Sequence, residues 1–257
     1  MNKELIIFRG KKGSGKDTAA SITNAILTLK YKNPKVAANM KYLDYLLNER
    51  DNSNIFHFAD GIKDCISSIF NIRRQFLDNN FIKDSCYYSF KNRVITTRNV
   101  VEQLKNNSDI IVINNIDEYK SILVNGNISS LFTGGINVII SIRFLMQYFG
   151  TELIRNIFGD NIWVNKTIDK INDHFILNDF AIIADMRFKN EYDEIIKYCK
   201  NECINYRVFY MVRDTNEIID NHGSEQMFEL DCTQQDIINN VSSLDELFYT
   251  IKHLLKL

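Results

Sequence analysis

The feature that most constrains the fold is an apolar segment that runs directly into a glycine-rich loop and then into a helix. Leu5-Ile6-Ile7-Phe8 has the composition of a buried strand, and Gly10 to Lys16 fits the spacing G-x-x-x-x-G-K. From Ala19 to Tyr31, apolar residues recur at helical spacing. Glycines let successive backbone N–H groups turn toward an anion, and a helix N-terminus favours negative charge. The segment therefore predicts a phosphate cradle and a P-loop NTPase fold.

The loop and the first helical turn supply the predicted ATP-binding residues. These are Gly10, Lys12, Gly13, Ser14, Gly15, Lys16, Asp17 and Thr18. Lys16 provides a compact positive charge for the β- and γ-phosphates. Most loops of this kind place Ser or Thr directly after the lysine, whereas this chain has Asp17 and then Thr18. Because carboxylate and hydroxyl oxygens bind Mg²⁺, we expect Asp17 and Thr18 to hold this ion, directly or through water.

Composition excludes several other classes of protein. The chain has 257 residues and is 45% hydrophobic, which is enough for a substantial core. Lys and Arg total 31 against 32 Asp and Glu, so no basic excess favours stable nucleic-acid binding. No apolar run approaches the roughly 20 residues of a membrane span. Five scattered cysteines without a C-x-x-C pair favour reduced thiols. We therefore expect a cytoplasmic protein that does not associate with membranes.

Strand and helix patterns alternate along the rest of the chain. Strands are predicted at 55–60, 109–114, 180–185 and 206–212, and helices at 61–71, 138–158, 191–203 and 244–255. This alternation predicts an α/β fold with a mainly parallel five-stranded sheet and helices on both faces. Ligands bind at the carboxyl ends of such strands, where we expect the glycine-rich loop, Asp60, Asp185 and Arg213.

Four segments together resemble the deoxynucleoside monophosphate kinase family of phages and large DNA viruses. They are Gly10 to Thr18, with aspartate after the lysine, Arg143 to Arg155 continuing to Trp163, Ile183 to Glu191, and His222 to Glu225. The second is similar to the family's R-x-x-x-Q-x-x-G-T-[DE]-x-x-R stretch, and the third to its D-x-R-F-x-N-E. In addition, 236–240 looks like the last strand of such kinases. The resemblance implies a single P-loop kinase domain over 1–257 that phosphorylates deoxynucleoside monophosphates with ATP and Mg²⁺.

Phosphoryl transfer between two polyanions requires several cations directed at one point. Arg143, Arg155, Arg187 and Lys12 can supply this charge, and we predict Lys16 and the three arginines as catalytic residues. We expect Arg143 and Arg187 to converge opposite Lys16 and to leave room for a second nucleotide. The resemblance implies that the monophosphate is held by Arg143, Gly150, Thr151, Trp163, Asp185, Arg187 and Glu191.

Some of these residues have structural alternatives. Trp163 fits a core position as well as a stacking wall for a base. Arg187 and Glu191 also have the i,i+4 spacing of a solvated pair on a helix. Asp185 fits contact either with Mg²⁺-bound water or with the sugar or base of the substrate.

Residues 72–160 are expected to form an inserted helical region that binds the acceptor. Within it, Arg74 and Lys83 are predicted to contact the acceptor phosphate, the alternative being surface charge that aids solubility.

Two other functions fit the sequence. One is a P-loop kinase of another small phosphorylated acceptor, and the other is a nucleotide-binding or assembly protein that retains the fold without catalysis. Kinases of this kind often dimerise, so a homodimer is one expected state. If the chain is viral, the host cytoplasm is its expected location.

Overall fold

The computed structural model describes residues 3–11, 13–47, 52–125, 136–213, 236–239 and 243–256. Lys12, His222 and Glu225, which the sequence singled out, lie outside these residues. The chain divides into two compact units, the first formed by Met1–Phe58 and Trp163–Leu257 and the second by Ala59–Ile162. Among the described residues, no helix has the length and apolar character needed to cross a bilayer.

Each unit contains its own β-sheet. The strands, in chain order, are β1 (Glu4–Arg9), β2 (Ile55–Phe56), β3 (Cys86–Ser89), β4 (Val94–Thr97), β5 (Ile110–Ile113), β6 (Asn137–Ser141), β7 (Phe180–Met186), β8 (Asn205–Val212) and β9 (Asp236–Asn239).

The first unit is built on a parallel five-stranded sheet in the order β2-β7-β1-β8-β9. Its described helices are Lys16–Lys32, Pro34–Asn39, Tyr42–Leu47, Ile162–His174, Lys189–Asn201 and Leu244–Leu254. The predicted α/β class and parallel five-stranded sheet are confirmed. All strands run in one direction, so their carboxyl ends lie at one edge, which we call the carboxyl edge.

The central strand β1 is buried on both faces, which explains its uninterrupted apolar sequence. Ile6 and Phe8 belong to a core that includes residues of the helices Lys16–Lys32 and Leu244–Leu254. The alternate residues Leu5 and Ile7 belong to a second core, which includes residues of the helices Ile162–His174 and Lys189–Asn201. Burial of each such side chain contributes about 1.5–3 kcal/mol. The two cores therefore stabilise β1, the strand from which the glycine-rich loop leaves.

The second unit has a mixed four-stranded sheet in the order β4-β3-β6-β5, in which only β5 and β6 run parallel. Its described helices are Ala59–Phe70, Arg74–Asp78, Asn80–Ser85, Arg98–Leu104, Ile116–Asn125, Ile142–Gln147 and Asn156–Phe158, with a π-helix at Tyr148–Arg155. The prediction of a helical region over 72–160 is therefore corrected, because this region also holds the four strands. The strand predicted at 109–114 is confirmed as β5.

The segment 138–158, predicted to be helical, begins instead with the strand β6. Val138, Ile139 and Ile140 are buried β-branched residues, a type that favours a pleated strand over a helix. The helical part follows from Ile142, and Gly150 lies within the π-helix without interrupting it. A Cβ at Gly150 would lie 2.6 Å from Ile62 Cδ1, so glycine permits close packing of the π-helix on the helix Ala59–Phe70.

Candidate active site

The glycine-rich loop, Gly10–Gly15, leaves β1 at the carboxyl edge of the first sheet. Gly10, Gly13 and Gly15 all have positive φ, at 150°, 77° and 89°. A Cβ at Gly10 would lie 2.5 Å from the carbonyl oxygen of Met211 and 2.7 Å from Ser14 Oγ. A side chain at Gly10 would therefore be both strained and obstructed, and glycine is required for this turn.

Lys16 begins the helix Lys16–Lys32 and extends its side chain back over the loop. Its Nζ donates to the carbonyl oxygens of Gly10 at 2.7 Å and Lys11 at 2.6 Å, and the residue is only 6% exposed. The buried ammonium group and the turned glycine backbone thus share one location. The structure brings together the predicted residues Gly10, Gly13, Ser14, Gly15 and Lys16.

Asp17 follows Lys16 in the first helical turn, where its side chain is 84% exposed. Its Oδ1 lies 3.4 Å from Nε2 of His57, which comes directly after β2. Thr18 is half-buried beside it. His57 is not among the residues predicted from sequence, because the strand predicted at 55–60 placed it within the strand, whereas β2 ends at Phe56.

Asp185 lies near the end of β7, at the same edge of the sheet. Its Oδ1 accepts a hydrogen bond of 2.9 Å from the backbone N–H of Phe58. This bond joins the end of β7 to the segment that carries His57. Arg213 also lies at this edge, directly after β8.

Glu191 is 2% exposed and caps the N-terminus of the helix Lys189–Asn201. Its Oε2 accepts hydrogen bonds from the backbone N–H groups of Arg187, at 2.8 Å, and Phe188, at 2.9 Å. A carboxylate here stabilises the helix because the first N–H groups lack partners within it. The alternative of a solvated pair does not describe Glu191, which is buried.

Trp163 is 3% exposed, near the start of the helix Ile162–His174. Its ring therefore occupies a buried position, as the core alternative expects. Stacking on a base would require the packing around this ring to change, and that role stays a prediction.

The second unit carries a group of eight charged side chains, which we call the charge cluster. It consists of Lys63, Arg74, Lys83, Arg143, Asp60, Asp64, Asp78 and Asp84. Arg74 contacts three of the carboxylates, Asp60 at 2.5 Å, Asp78 at 3.3 Å, and Asp64. Burial alone would lower the pKa of Arg74, but the three carboxylates outweigh it and raise the pKa.

The other cations of the charge cluster differ in how they are paired. Arg143 Nε donates to Asp84 Oδ1, and Lys63 Nζ donates to Asp78 Oδ1 at 2.8 Å. Lys83 lies near Lys63 and Arg143, and burial together with these two cations lowers its pKa to about 8. Three predicted acceptor residues, Arg74, Lys83 and Arg143, thus share one cluster.

The remaining predicted residues divide between the two units. Thr151 and Arg155 are half-buried in the π-helix of the second unit, whereas Lys16 and Arg187 belong to the first. The convergence of Arg143 and Arg187 opposite Lys16 therefore stays a prediction. Asp60, expected at the carboxyl edge, belongs to the second unit and pairs with Arg74.

The sequence model of a protein family described as deoxynucleotide monophosphate kinase matches residues 4–251. The chain belongs to the deoxynucleotide monophosphate kinase family. This confirms the predicted family and the predicted enzyme class, a phosphotransferase. A deoxynucleotide monophosphate kinase family implies a nucleotide phosphate donor and small nucleotide substrates.

Two relatives carry the same name. The deoxynucleotide monophosphate kinase of Escherichia phage RB69 is 24% identical over 279 aligned residues, which cover 98% of this chain and 100% of the relative. That of Enterobacteria phage T4 is 32% identical over 120 residues, which cover 45% of this chain and 46% of the relative. The similarity to the RB69 kinase thus extends over both units.

Proposed function

We propose that the chain transfers the γ-phosphoryl group of ATP to a deoxynucleoside monophosphate and so supplies diphosphates for DNA synthesis. The observation that carries this proposal is the position of Lys16 over the glycine-rich loop, in a chain that belongs to a kinase family. The phage relatives favour the cytoplasm of an infected host cell as the location of the reaction.

The donor is assigned to the glycine-rich loop, which we propose to be a P-loop. Its positive-φ glycines turn backbone N–H groups, and the helix that begins at Lys16 adds its N-terminal dipole. Lys16 holds negative charge on the donor phosphates, and Lys12 is assigned to the same task on the sequence pattern alone. In exchange, the ammonium group of Lys16 gives up its bonds to the carbonyl oxygens of Gly10 and Lys11.

Mg²⁺ fits the residues beside this loop. Asp17 offers an exposed carboxylate and Thr18 a hydroxyl, which are oxygen ligands of the kind that this ion prefers. A cluster of three or more His, Cys, Asp or Glu ligands is absent from the described residues, and Mg²⁺ sites commonly use one or two carboxylates with substrate phosphates. When bound, the ion supplies neutralisation of the charge on the transferring phosphoryl group.

The acceptor is assigned to residues that were selected from the sequence. Arg143, Arg155 and Arg187 neutralise the transferring group and the acceptor phosphate, because guanidinium groups bind phosphate with two parallel hydrogen bonds. Arg74 and Lys83 contribute through the charge cluster. The family resemblance supports contacts from Gly150, Thr151, Trp163, Asp185 and Glu191.

A coupled assay of ADP release tests the reaction. The purified chain is given ATP, Mg²⁺ and either dTMP, dGMP, dCMP, dAMP or the matching ribonucleotides, with phosphomevalonate and dephospho-coenzyme A as competing acceptors. We expect turnover with at least one deoxynucleoside monophosphate. ADP release only with phosphomevalonate or dephospho-coenzyme A would indicate a kinase of that acceptor instead. Absence of turnover with every acceptor would favour the non-catalytic alternative.

Lys16→Met tests the assigned donor site, with Lys32→Met as the control because Lys32 is exposed in the last turn of the same helix. We expect the Lys16 variant to lose about 10²–10³-fold in kcat, the loss typical when one group that stabilises a charged transition state is removed. The control should keep full activity. A Lys16 variant as active as the parent would contradict the assignment of the donor site to the loop.

Trp163 gives a direct measurement of acceptor binding, because it is the only tryptophan in the chain. If the base contacts the indole ring, each monophosphate that serves as a substrate should change the fluorescence of the protein in the absence of ATP.

Light scattering after size-exclusion chromatography tests whether the chain forms the homodimer expected from the family resemblance.

A further inference from the structure

Lys83 differs from the other cations of the charge cluster in having no carboxylate partner. Lys63, Arg74 and Arg143 each contact at least one aspartate. Within the part of the chain that the structure describes, no hydrogen bond or ion pair involves the Lys83 ammonium group. Lys83 is therefore the one cation of the cluster without a direct contact to a carboxylate of the described residues.

The surroundings of Lys83 disfavour its positive charge. The side chain is half-buried, and burial is the largest cause that lowers its pKa to about 8, followed by Lys63 and Arg143. Asp78 and Asp84 act in the opposite direction but do not offset these effects. Lys83 thus occupies a position where an added anion would stabilise its charged form.

The described elements packed against the helix Asn80–Ser85 offer no anion to Lys83 beyond the aspartates of the charge cluster. Strand β6 has no ionisable side chain, and β3 contributes Cys86, Tyr87 and Tyr88. Burial raises the pKa of the Cys86 thiol, which keeps it neutral, and the two tyrosine hydroxyls donate to Asn114 and to the carbonyl oxygen of Phe70. Arg98 adds a further cation, bound to the backbone carbonyl of Asp84.

We propose that Lys83 is the member of the charge cluster that takes up a proton from solvent as the acceptor binds, and that its charged ammonium group then contacts the acceptor's phosphate. This inference rests on the proposed function, because the acceptor is taken to be a monophosphate. A phosphate dianion supplies an anion in contact with Lys83, while Lys63 keeps its contact with Asp78. No covalent bond forms, and the proton comes from the buffer to Lys83 Nζ.

Linkage sets the direction of the pH effect. Where free Lys83 is neutral and bound Lys83 is charged, acceptor binding includes proton uptake, so affinity falls as pH rises. The fall begins near pH 8, where the free lysine starts to lose its proton. It approaches about tenfold per pH unit above that point and ends where bound Lys83 also loses its proton. The acceptor phosphate is already a dianion throughout this range, so its own titration does not contribute.

Calorimetric titration of the parent with its best monophosphate, without ATP, tests the inference. At pH 8.5, in two buffers with different ionisation enthalpies, we expect uptake of on the order of half a proton per acceptor bound. The dissociation constant should rise more than fivefold between pH 7.5 and 9.5. A parent that binds the acceptor without proton uptake would overturn the inference.

Variants of Lys83 test whether this residue is the group that takes up the proton. Lys83→Met should bind the acceptor at least tenfold more weakly at pH 7.5 and lose the proton uptake. Lys83→Arg should retain affinity and also lose the uptake, because arginine stays charged throughout this range. Lys105→Met is the control, since Lys105 lies in the same unit and pairs with the exposed Glu102. Proton uptake that persists in both Lys83 variants would assign it to another group and overturn the inference.

The two proposals fail in different ways. A parent that releases ADP with a monophosphate but binds it without proton uptake refutes only the role of Lys83. A parent that neither binds nor phosphorylates any monophosphate refutes the proposed function and this inference with it. If Lys83→Met does not fold, the proton uptake measured for the parent and for Lys83→Arg still tests the role of Lys83.

Discussion

His57 Nε2 lies 3.4 Å from Asp17 Oδ1, which joins the segment after β2 to the first helical turn after the glycine-rich loop. An ion pair as exposed as this one is worth at most about 1 kcal/mol. The contact restrains the carboxylate that we assign to Mg²⁺.

We predict that His57→Ala raises the KM for ATP·Mg²⁺ by up to about fivefold, the equivalent of 1 kcal/mol, because the contact with Asp17 is lost. Steady-state kinetics of the variant and the parent measure the ratio of the two KM values. His253→Ala, at an exposed position on the helix Leu244–Leu254, serves as the control. A KM equal to that of the parent would contradict a role of His57 in positioning Asp17.

Gly10→Ala should destabilise the first unit and weaken donor binding. The new Cβ would meet the Met211 carbonyl oxygen at 2.5 Å, and backbone cannot move aside as a flexible side chain can. We expect a loss of about 2–4 kcal/mol in the free energy of unfolding by urea, from overpacking and positive φ together. Gly159→Ala is the matched control, because Gly159 has φ of 92° but no atom within 4 Å of an added Cβ. It should cost about 1–3 kcal/mol from strain alone, because its ψ of 159° places it in a backbone region that only glycine commonly adopts. Equal losses in the two variants would show that the contact with Met211 has no energetic weight.

Gly150→Ala tests whether this glycine acts through packing or through the substrate. The added Cβ would lie 2.6 Å from Ile62 Cδ1, and overpacking costs about 1–3 kcal/mol. Movement of this flexible side chain and the roughly 1 kcal/mol by which a helix favours alanine over glycine offset part of that cost. Ile62→Val removes the obstructing methyl group, so the double variant should recover at least half of the lost stability. Chemical denaturation of the two single variants and the double variant measures the coupling. Recovery of stability without recovery of the acceptor KM would indicate that Gly150 also contacts the substrate.

Glu191→Ala should act mainly on stability. The buried carboxylate accepts the N–H groups of Arg187 and Phe188, and its removal leaves both without this acceptor at the helix start. We expect a loss of about 1–3 kcal/mol in the free energy of unfolding. Glu191→Gln keeps one amide oxygen as an acceptor and should lose less. If both variants keep the parent's stability but raise the acceptor KM, the substrate role is the dominant one.

The first unit could be predicted from sequence because its strands are buried on both faces. Segments such as Leu5–Phe8 and Phe180–Ala184 are uninterrupted apolar runs, and the helices between them have clear 3.6-residue periodicity. The glycine-rich loop was equally accessible, since its glycine positions follow from backbone geometry rather than from distant contacts.

The second sheet could not be predicted in the same way. Strand β4 is exposed or half-buried throughout, and β6 is a short apolar run that passes directly into a helix. Short apolar runs do not distinguish strand from helix by periodicity, and the pairing of β3 with β6 depends on residues far apart in sequence.

The candidate site was predicted as a set of residues but not as a set of pairings. Asp17, Arg74 and Asp60 were selected from sequence, whereas the pairing of Asp17 with His57 and of Arg74 with Asp60 becomes evident only in the fold. One signal was available for the charge cluster. Asp60 and Asp64 are four residues apart on the helix Ala59–Phe70, which places both on one face.

The strand order of the first sheet also governs how the chain is completed during synthesis. Strand β1 pairs only with β7 and β8, and the entire second unit is translated before either of them. At about 5–20 residues per second, β1 is without either neighbouring strand for roughly 10–40 s. The four described strands of the second unit have been translated by then, so the nascent chain can fold from its middle outward, with the glycine-rich loop among the last parts to form.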